Sequence, residues 1–590
     1  MSASTRIIMR DPCGNDRWLM WRNPVEIIAT HNLDEVTDIL ARVDAAANHG
    51  LHAIGFVCYE AGRAFDPAFV NKTQVPALPL VWFALFRSDS ATEHTLDCPR
   101  HSAVQWKPLI DKTTYRRSIR KIKQSIAAGE TYQVNFTFPL KGSMPLDMEQ
   151  LLARLHHAQP SPYSMYIETP DFQIASASPE CFFTLDNSRI HCKPMKGTCP
   201  RGLHPTLDRM AGENLRHSIK NRAENVMIVD MVRNDLGRIA VAGSVTTERL
   251  FDVTAWPTLW QMTSTISADT KANIVGIFQA LFPSASITGA PKLKTSEIIS
   301  GLEDYPRGVY TGAIGYWFPG RQASFSVAIR TATHINHSGE TTYGVGSGIV
   351  WDSQADDEYR ECILKSRVLK NAMPDFQLLE TMRWEPDSGF FMLAEHLDRM
   401  KESSDYFGCD FDDEVVASML NEMASKFDNK PTRVRLLCAR NGRIRIEHIE
   451  ASDPAHFGYP LSAPTMSGMI DSKRIKTDSP FFYHKTTRRA VYNKARKRFP
   501  EYEEVLLVND RDEVMEFTSG NMVIRKADIW LTPALDCGLL PGVFRDKLIR
   551  DGIIRESRIS ITDVMKADNV FFINSVRGWR RVSMNGSFGQ

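Results

Sequence analysis

Three stretches between residues 308 and 351 determine the type of fold: VYTGAIGYWF (309–318), SFSVAIRTATHI (324–335) and YGVGSGIVW (343–351). Each is rich in β-branched and aromatic residues and is punctuated by glycine, which is typical of consecutive β-strands. We therefore predict that strands fill this interval. Similar strand-like runs occur at LHAIGFVCYE (51–60) and ALPLVWFALF (77–86), and residues 172–193 alternate as strands do.

Helical patterns flank these strands, and one break divides the chain. Residues 33–48, 114–128, 213–237 and 355–371 have helical periodicity. The last pattern stops before Pro374, where FQLLETMRWEPDSGFFML begins a hairpin pattern. The remaining residues are numerous enough for a separate core. We predict two domains, residues 1–373 and 374–590.

The composition excludes several classes of protein. The chain has 590 residues, 43% hydrophobic and 24% charged, with a net charge of +1. This balance gives no electrostatic signature for nucleic acid or membrane, and no apolar run reaches the roughly 18 residues that a membrane span needs. Asp11 and Asp16 come too early for a signal peptide. The ten cysteines have neither CxxC nor zinc spacing, so we expect reduced thiols in a cytoplasmic protein.

The helix EYRECILKSRVL carries a group of charged side chains. Glu358, Glu361 and Lys365 share one face of this helix. A solvated Glu361–Lys365 ion pair would explain the same pattern.

A second helix, NRAENVMIVDMVRNDLGRIA (221–240), begins with Glu224, and Asp230 interrupts its apolar run, which we expect to be deeply packed. A carboxylate close to a buried stretch needs a partner. Mg²⁺, bound by glutamate, water and substrate oxygens, would serve. Interaction of Glu224 with the helix macrodipole is the alternative.

Two further features suit an anion. Arg330 lies within a β-branched run that we predict to be strand, where an unpaired guanidinium is costly. The stretch GVGSGIV (344–350) offers backbone N–H groups that only glycine allows a ligand to approach. Together they suit a carboxylate. They occur in the same chain as the motif SITGAPK (286–292).

These motifs occur in a familiar order. SASPE, PMKGT, RAENVMIVDMVRNDLGR, SITGAPK, GVYTGAIGY, AIRT, GSGIV and EYREC follow one another as in the chorismate-utilising enzymes, which the chain resembles over roughly residues 110–370 and more loosely before them. The resemblance implies an α/β sandwich with two large antiparallel sheets, a Mg²⁺ site and chorismate as substrate. It implies that Glu224 and Glu361 hold the metal with Glu358 nearby, and that Glu180 is a general acid or base. The residues implied to bind chorismate are Thr288, Tyr310, Arg330, Gly346, Gly348 and Lys365.

The residue type at position 196, a lysine within HCKPMKGTCP (191–200), distinguishes family members that catalyse different reactions. By itself the stretch is typical of a solvated turn. Anthranilate-forming members typically have alanine at this position, whereas aminodeoxychorismate-forming members have lysine. In the family mechanism the lysine attacks C2 of chorismate and expels the C4 hydroxyl, and ammonia then enters at C4. The lysine must be a free amine, so its pKa has to be lowered by burial or nearby cations.

Two glutamines refine the resemblance. Isochorismate- and salicylate-forming members place a lysine at the position of Gln133 as the base for water, and glutamine cannot act as that base. Gln261 stands where many relatives have histidine, so no imidazole can act at this position.

The C-terminal part carries a second set of chemical groups. Lys485 is followed by Arg488 and Arg489, cations that favour its deprotonated form. Glu516 precedes the small-residue loop TSGN, and LLPGVFRDKLI (539–549) has the pattern of a glycine loop entering a helix, whose amides form an anion cup. Lysine, carboxylate and phosphate cup are together what pyridoxal 5′-phosphate needs. Taken singly, the lysine could belong to a basic surface patch, the glutamate to a turn, and the glycine loop to a helix cap.

This ordered set resembles the class IV, fold-type IV pyridoxal phosphate enzymes. The resemblance implies that Lys485 forms the Schiff base and shuttles protons, and that Glu516 pairs with the pyridine nitrogen. It also implies a homodimer formed through this domain. The stretches FINSVRG and HKTTRR are most similar to the aminodeoxychorismate lyases. The residues implied to hold the phosphate are Arg399, Val543, Phe544 and Ser575.

The two resemblances together imply p-aminobenzoate synthesis for folate: chorismate is aminated at C4, and pyruvate is then eliminated. No glutaminase nucleophile is recognisable, so a separate glutamine amidotransferase subunit would supply the ammonia. Two alternatives stay open: an anthranilate-type aminase joined to a D-amino acid or branched-chain transaminase, and a non-catalytic fusion that binds chorismate or the cofactor.

Overall fold

The computed structural model describes residues 5–14, 17–72, 77–97, 105–142, 147–369 and 376–585. The chain divides into two compact units. The first comprises Met1–Pro200 and Ala211–Pro374, and the second comprises Arg201–Met210 and Asp375–Gln590. The domain boundary at residue 374 stays a prediction, and it assigns residues 201–210 to the first domain.

The first unit is built mainly of strands. In chain order they are β1 (Arg6–Arg10), β2 (Trp18–Arg22), β3 (Glu26–Thr30), β4 (His52–Val57), β5 (Val81–Phe86), β6 (Ala91–His94), β7 (Trp106–Pro108), β8 (Gln133–Gly142), β9 (Met165–Glu168), β10 (Phe172–Ser176), β11 (Cys181–Asp186), β12 (Arg189–Lys193), β13 (Met195–Pro200), β14 (Thr246–Ala255), β15 (Leu259–Asp269), β16 (Gly289–Ala290), β17 (Ala313–Phe318), β18 (Gln322–Val327), β19 (Thr331–Ile335) and β20 (Glu340–Ile349). The helices are α1 (Val36–Asn48), α2 (Gly62–Phe65), α3 (Lys112–Ala127), α4 (Met148–Ala158), α5 (Pro205–His217), α6 (Ile219–Gly237), α7 (Ile274–Leu281), α8 (Ala285–Thr288), α9 (Lys292–Leu302) and α10 (Ala355–Lys365). The start of α5, residues 205–210, belongs to the second unit.

The strands form two large antiparallel sheets, as predicted. One has the order β16-β8-β20-β19-β10-β9-β1-β2-β6, with β7 paired to β8. The other has the order β13-β15-β12-β11-β18-β17-β4-β5-β3, with β14 paired to β15. Many neighbours are distant in sequence, so the pairing depends on tertiary packing and not on local hairpins.

The two sheets pack face to face, and helices cover their outer faces. Ile7 and Trp21 of the first sheet share a buried apolar cluster with Phe56 and Ile314 of the second. The outer face of the first sheet packs on α3, α4 and α10, and that of the second packs on α1, α6 and α7. This arrangement confirms the predicted α/β sandwich.

The structure corrects two predictions about α5 and α6. The helix predicted over 213–237 is interrupted at Ser218, whose hydroxyl accepts from the amide of Asn221 and caps α6. The apolar run of α6 is not buried on all sides, because Val226 is exposed and Asp230 lies at the surface beside Arg233.

Arg330 is also not inside a strand. It lies between β18 and β19 with a φ of 51°, in the left-handed region. The strands of this interval are therefore shorter than predicted, and β17 begins only at Ala313.

The second unit contains one small and one large sheet. Its strands are β21 (Leu378–Glu385), β22 (Gly389–Phe390), β23 (Thr432–Cys438), β24 (Ile444–Glu450), β25 (Thr465–Ile475), β26 (Glu504–Asn509), β27 (Val514–Phe517), β28 (Asn521–Lys526), β29 (Ile529–Pro533), β30 (Arg555–Ser557), β31 (Asn569–Asn574) and β32 (Gly578–Asn585). Its helices after residue 375 are α11 (Leu393–Phe407), α12 (Asp413–Ala424), α13 (Ala490–Arg498), α14 (Val543–Arg550) and α15 (Ile561–Met565).

The small sheet has the order β22-β21-β23-β24, and the large sheet has the order β27-β26-β25-β32-β31-β28-β29-β30. The large sheet is mixed, since β25 runs parallel to both β26 and β32. The hairpin predicted after residue 376 is present as β21 and β22. Within the described ranges every cysteine is a free thiol, as predicted, and no helix has the length and apolarity to cross a membrane.

Candidate active sites

Lys196 lies in strand β13, which pairs with β15, and not in a solvated turn. Its Nζ donates to the carbonyl oxygen of Ser286 over 3.0 Å. Gly197, with a φ of 96°, follows it, and a Cβ there would lie 3.1 Å from Asn221. Burial lowers the pKa of Lys196 from its ordinary value, although Glu180 and Glu224 oppose this shift. The lowered pKa favours the free amine that nucleophilic attack requires.

Glu180 and Lys196 meet at Ser286. The Ser286 hydroxyl donates to the Glu180 carboxylate over 2.5 Å, while the Ser286 carbonyl accepts from Lys196. Glu180 is buried, and this burial raises the pKa of its carboxyl. A raised pKa favours the protonated form of the carboxyl, which is the form that a general acid needs. Sequence reasoning did not assign a role to Ser286, although its motif SITGAPK was recognised.

An unsatisfied amide lies beside Lys196. Gln133 is completely buried, yet neither its Nε2 nor its Oε1 has a hydrogen-bond partner in the described chain. A Cβ at Gly348 would lie 3.1 Å from this Nε2 and 3.2 Å from Lys196 Nζ. Buried polar groups are rarely left unpaired. The amide therefore marks a place where a polar ligand would complete its hydrogen bonds.

The predicted metal ligands are only partly assembled. Glu361 pairs with Lys365 at 2.7 Å, and this lysine lowers the pKa of Glu361. Glu224 is close enough to Glu358 and Glu361 for their charges to add to the effect of burial, which raises its pKa. Glu358 accepts from Ser353 over 2.8 Å. Among the described residues no group of three or more His, Cys, Asp or Glu side chains could hold a metal by itself.

Two of the glutamates carry the oxygen ligands that Mg²⁺ prefers. The ion is bound by oxygen atoms, and it commonly retains water and takes oxygen atoms from the substrate. Glu224 and Glu361 would therefore supply part of the ligand set, and substrate and water would complete it.

The predicted chorismate ligands form a connected group around Lys365. Its Nζ donates to the carbonyl of Gly346 over 2.9 Å, and its own carbonyl accepts from Arg330 over 3.3 Å. Arg330 also donates to Gln159. Gly348 is two residues further along β20.

Thr288 and Tyr310 are tied to other parts of the first unit. Thr288 is fully buried and donates to the Ser284 carbonyl. The Tyr310 ring covers Gly344, where a Cβ would lie 2.2 Å from the ring. A cavity of about 410 Å³ borders Tyr310 and Gly344. Lys196 does not line this cavity in the described chain.

Gln261 lies in β15, where it is buried. Its Nε2 donates to the carbonyl of Gly197 over 2.9 Å, next to Lys196. The glutamine therefore supports the backbone of the lysine strand, a neutral role for which no imidazole is needed.

The second unit brings its predicted residues together in one pocket of about 70 Å³. Arg399, Lys485, Glu516, Val543, Phe544 and Ser575 all line it. The pKa of Lys485 is lowered to about 8, mainly by burial; Arg399 and Arg489 contribute to this shift, and Glu380 opposes it. A lysine with this pKa can change protonation state near neutral pH.

Glu516 lies in β27, with three neutral donors around it. Tyr492 donates its hydroxyl over 2.8 Å, Leu540 its amide over 3.2 Å and Asn521 its side-chain amide over 3.3 Å. Burial raises the pKa of Glu516 to about 7. A protonated pyridine nitrogen would give this buried carboxyl a cationic partner.

The cationic side of the pocket is held by residues that sequence reasoning missed. Arg399 forms a two-pronged ion pair with Glu380, at 2.8 and 2.7 Å, and also donates to the Pro541 carbonyl. His396 contacts the same carboxylate at 2.7 Å. Arg399 and His396 keep the pKa of the buried Glu380 well below its ordinary value. The only sequence signal for Glu380 is a charge within the apolar strand pattern LLETM.

The glycine loop enters a helix as predicted, and its role as an anion cup stays a prediction. Val543 and Phe544 begin α14, so their backbone amides lie at a helix N-terminus, where a phosphate is favoured. A Cβ at Gly542 would lie 2.0 Å from Asn521 Oδ1, so this close approach requires glycine. A lysine with a lowered pKa, a buried carboxyl without a cationic hydrogen-bond donor and a helix N-terminus fit pyridoxal 5′-phosphate.

Comparison with known families matches both units. Residues 5–371 match the model of the chorismate binding enzymes, and residues 377–584 match that of the class IV amino-transferases.

Similar proteins cover about half of this chain. Aminodeoxychorismate synthase component 1 of Escherichia coli (strain K12) is 39% identical over 268 residues, which are 45% of this chain and 59% of that protein. Aminodeoxychorismate synthase of Streptomyces griseus is 38% identical over 287 residues, 47% of this chain and 39% of that protein. The matched part is thus less than two-thirds of either relative. Anthranilate synthase component I from Streptococcus pneumoniae TIGR4 has a similar fold, with a TM-score of 0.53 and 22% identity over 63% of this chain and 93% of that one.

Proposed function

The chain belongs to the chorismate binding enzymes, and on this premise we propose that it makes p-aminobenzoate from chorismate in two steps. The first unit would aminate chorismate at C4, and the second would eliminate pyruvate from the product. Relatives named aminodeoxychorismate synthase support the first step. The class IV amino-transferase match supports a pyridoxal phosphate reaction in the second unit.

One observation supports the choice of amination at C4: the partly buried Lys196 amine. Its Nζ is 3.0 Å from the Ser286 carbonyl and 3.2 Å from where a Cβ of Gly348 would be. The lowered pKa favours the free amine, and this supports a nucleophilic role for Lys196. Gln133 itself cannot act as a base for activating water.

The first step exchanges oxygen for nitrogen. Lys196 Nζ forms a bond to C2, the ring double bond shifts, and the C4–O bond breaks. Glu180 gives its proton to the departing hydroxyl, which leaves as water. Ammonia then bonds to C4, the double bond shifts back, and the C2–N bond breaks to release Lys196 as an amine. One proton of the new ammonium group returns to Glu180.

The remaining groups of the first unit would bind and orient the substrate. Arg330 and Lys365 suit its carboxylates. Chorismate binding enzymes use Mg²⁺, which supplies charge compensation for a carboxylate. Glu224 and Glu361 would hold it, with Glu358 nearby.

In the second unit, bound pyridoxal phosphate supplies an electron sink that acidifies the C4 hydrogen of the aminated substrate. Arg399, Ser575 and the amides of Val543 and Phe544 would hold its phosphate. Glu516 would fix its ring nitrogen. Lys485 would hold it before substrate arrives, and its free amine would then take the C4 proton as pyruvate departs.

Ammonia would come from a separate glutamine amidotransferase. The name component 1 of the Escherichia coli relative supports a two-component arrangement. Association of two copies through the second unit remains part of the proposal.

The test compares two lysine variants. We expect Lys196→Ala to lower p-aminobenzoate formation from chorismate and ammonium by on the order of a thousandfold, since the nucleophile is lost. Lys193→Met, an exposed lysine in the neighbouring strand β12, is the matched control and should retain the rate. Product is measured by fluorescence and mass. A Lys196→Ala chain as active as the control would refute the proposed mechanism.

A further inference from the structure

Residues 201–210, with the sequence RGLHPTLDRM, belong to the second unit although they lie within the sequence of the first domain. They directly follow strand β13, which carries Lys196. We call this segment the strap.

An internal ion pair closes the strap. Arg201 donates to both oxygens of Asp208, over 2.7 and 2.6 Å, and the two side chains are only 6% and 7% exposed. The Gly202 amide donates to the same carboxylate over 2.9 Å. A Cβ at Gly202 would lie 2.2 Å from the Asp208 nitrogen, so the closed shape requires glycine. A buried pair with these additional bonds holds its geometry firmly.

The strap packs on the loop that carries Lys485 through a stack of three side chains. The Arg201 guanidinium lies 4.4 Å from the centre of the Tyr406 ring. The His484 ring lies 4.4 Å from the centre of the same Tyr406 ring. His484 also contacts the Ser403 hydroxyl at 2.9 Å, and the next residue is Lys485.

Two further strap residues contact the residues before Lys485. Leu203 packs against the buried apolar cluster that contains Phe482 and Tyr483. The His204 ring lies 5.6 Å from the ring of Tyr483. The strap thus contacts the cluster of Phe482 and Tyr483 directly, and it reaches His484 through the Tyr406 ring.

The lysine backbone is fixed from β21 as well. The Leu379 amide donates to the Lys485 carbonyl over 3.0 Å, and the Thr487 amide donates to the Gln377 carbonyl over 2.9 Å. The start of β21 thus holds residues 485–487, and the strap adds side-chain contacts to the residues just before them. Burial, aided by Arg201, lowers the pKa of His484 to about 3, so the stacked ring stays neutral and packs as a hydrophobic group.

We propose that the strap positions the Lys485 loop for its cofactor, with Arg201, Leu203 and His204 as positioning residues. The inference rests on the proposed role of Lys485. It means that the pyridoxal phosphate site is complete only with ten residues that come from the sequence of the chorismate-binding domain.

The test uses the full chain freed of cofactor and then titrated with pyridoxal 5′-phosphate. Arg201→Met should weaken binding by about tenfold, because it removes the contact with Tyr406 and breaks the buried ion pair with Asp208. Cofactor uptake needs the free amine of Lys485, so its rate rises with pH. We expect the rate to reach half of its maximum near pH 8 in the unaltered chain. In the variant this pH midpoint should be higher, because the lysine becomes more hydrated. Hydrogen exchange should accelerate in residues 482–485.

Arg209→Met is the matched control. Arg209 lies in the same strap, but its pair with Glu402 is exposed and 3.3 Å long, so cofactor affinity and pH midpoint should not change. His204→Ala is a milder variant, with an expected loss of about threefold, and it decides the outcome if Arg201→Met does not fold.

The outcomes separate the two proposals. Equal affinity and equal pH midpoints in the unaltered chain and in the folded strap variants would overturn the positioning role alone. No cofactor uptake by the unaltered chain would overturn the proposed function of the second unit itself.

Discussion

At the scale of the residue, the two candidate lysines owe their chemistry to burial. Lys196 and Lys485 both have a pKa below the ordinary value, and in both cases burial is the largest cause. Glutamates near each lysine limit the shift. The surroundings thus convert a strongly basic side chain into one that can act as nucleophile or proton carrier.

Glu516→Gln tests the buried carboxyl of the second unit. Glutamine retains oxygen and nitrogen atoms for hydrogen bonding, but it cannot carry the negative charge that would stabilise a protonated pyridine nitrogen. We expect the variant to bind pyridoxal phosphate and to release pyruvate from aminodeoxychorismate about a hundredfold more slowly. Pyruvate release can be followed with a coupled assay. Glu501→Gln, at an exposed position, is the control, and equal rates for both variants would contradict the role of Glu516.

At the scale of the element, strand β20 clears space next to Lys196. Gly344, Gly346 and Gly348 alternate along it and therefore share one face. Added Cβ atoms would lie 2.2 Å from the Tyr310 ring, 2.7 Å from Thr137 and 3.1 Å from Gln133, respectively. Three side chains thus already occupy the volume that any larger residue in this strand would need.

Gly348→Ala should weaken chorismate binding without unfolding the protein. Its Cβ would fill the space between Gln133 Nε2 and Lys196 Nζ, where both contacts are tight but end on flexible side chains. We expect the KM for chorismate to rise about tenfold, a loss of roughly 1.4 kcal/mol of binding. Steady-state kinetics measures this. Gly301→Ala in α9, where a Cβ would meet nothing within 4 Å, should leave the KM unchanged.

The short helical turn Tyr59–Ala61 gives the stability of the first unit a dependence on pH. Glu60 is buried there and accepts from the amides of Arg307 and Gly308, and burial raises its pKa to about 7. A carboxyl whose pKa is higher in the folded state stabilises the fold below the unfolded value of about 4.5. This contribution disappears as the pH rises through 7.

Glu60→Gln should therefore remove a fall in stability between pH 5 and 8. A pKa change of this size lowers the free energy of unfolding of the unaltered chain by at most about 3 kcal/mol over this pH range. Calorimetry of the first-unit transition at several pH values measures it. An identical pH profile in the Glu60→Gln chain would show that the carboxyl has no such effect.

Elements with strong periodicity could be predicted from the sequence, and their irregularities could not. Helix α3 buries Ile119 and Ile122 as its pattern predicts. The cap at Ser218 and the left-handed Arg330 depend on single backbone positions that periodicity does not encode. Motif order indicated both sites, but the link through Ser286 and the support from Glu380 are contacts across long sequence separations. The strap was missed for the same reason.

At the scale of the whole molecule, each unit carries its own set of candidate groups. Lys196, Glu180 and the residues predicted to bind chorismate lie in the first unit, and Lys485 and Glu516 lie in the second. Each proposed step therefore needs residues of one unit alone, and a defect in one step should leave the other intact.

Mixing two single variants tests this independence. Lys196→Ala should fail only in amination, and Lys485→Met only in the release of p-aminobenzoate, so that aminodeoxychorismate accumulates. Neither chain alone makes the final product at a normal rate. An equimolar mixture should make it from chorismate, ammonium, Mg²⁺ and pyridoxal phosphate, after a lag, as measured by fluorescence. A mixture as inactive as its components would contradict the independence of the two steps.

The central claim is that the chain aminates chorismate at C4 and then releases the aromatic amine. The most direct measurement incubates the purified chain with chorismate, ammonium, Mg²⁺ and pyridoxal 5′-phosphate and identifies the products by mass and fluorescence. The account predicts p-aminobenzoate and pyruvate in equal amounts. Anthranilate as the product would contradict it.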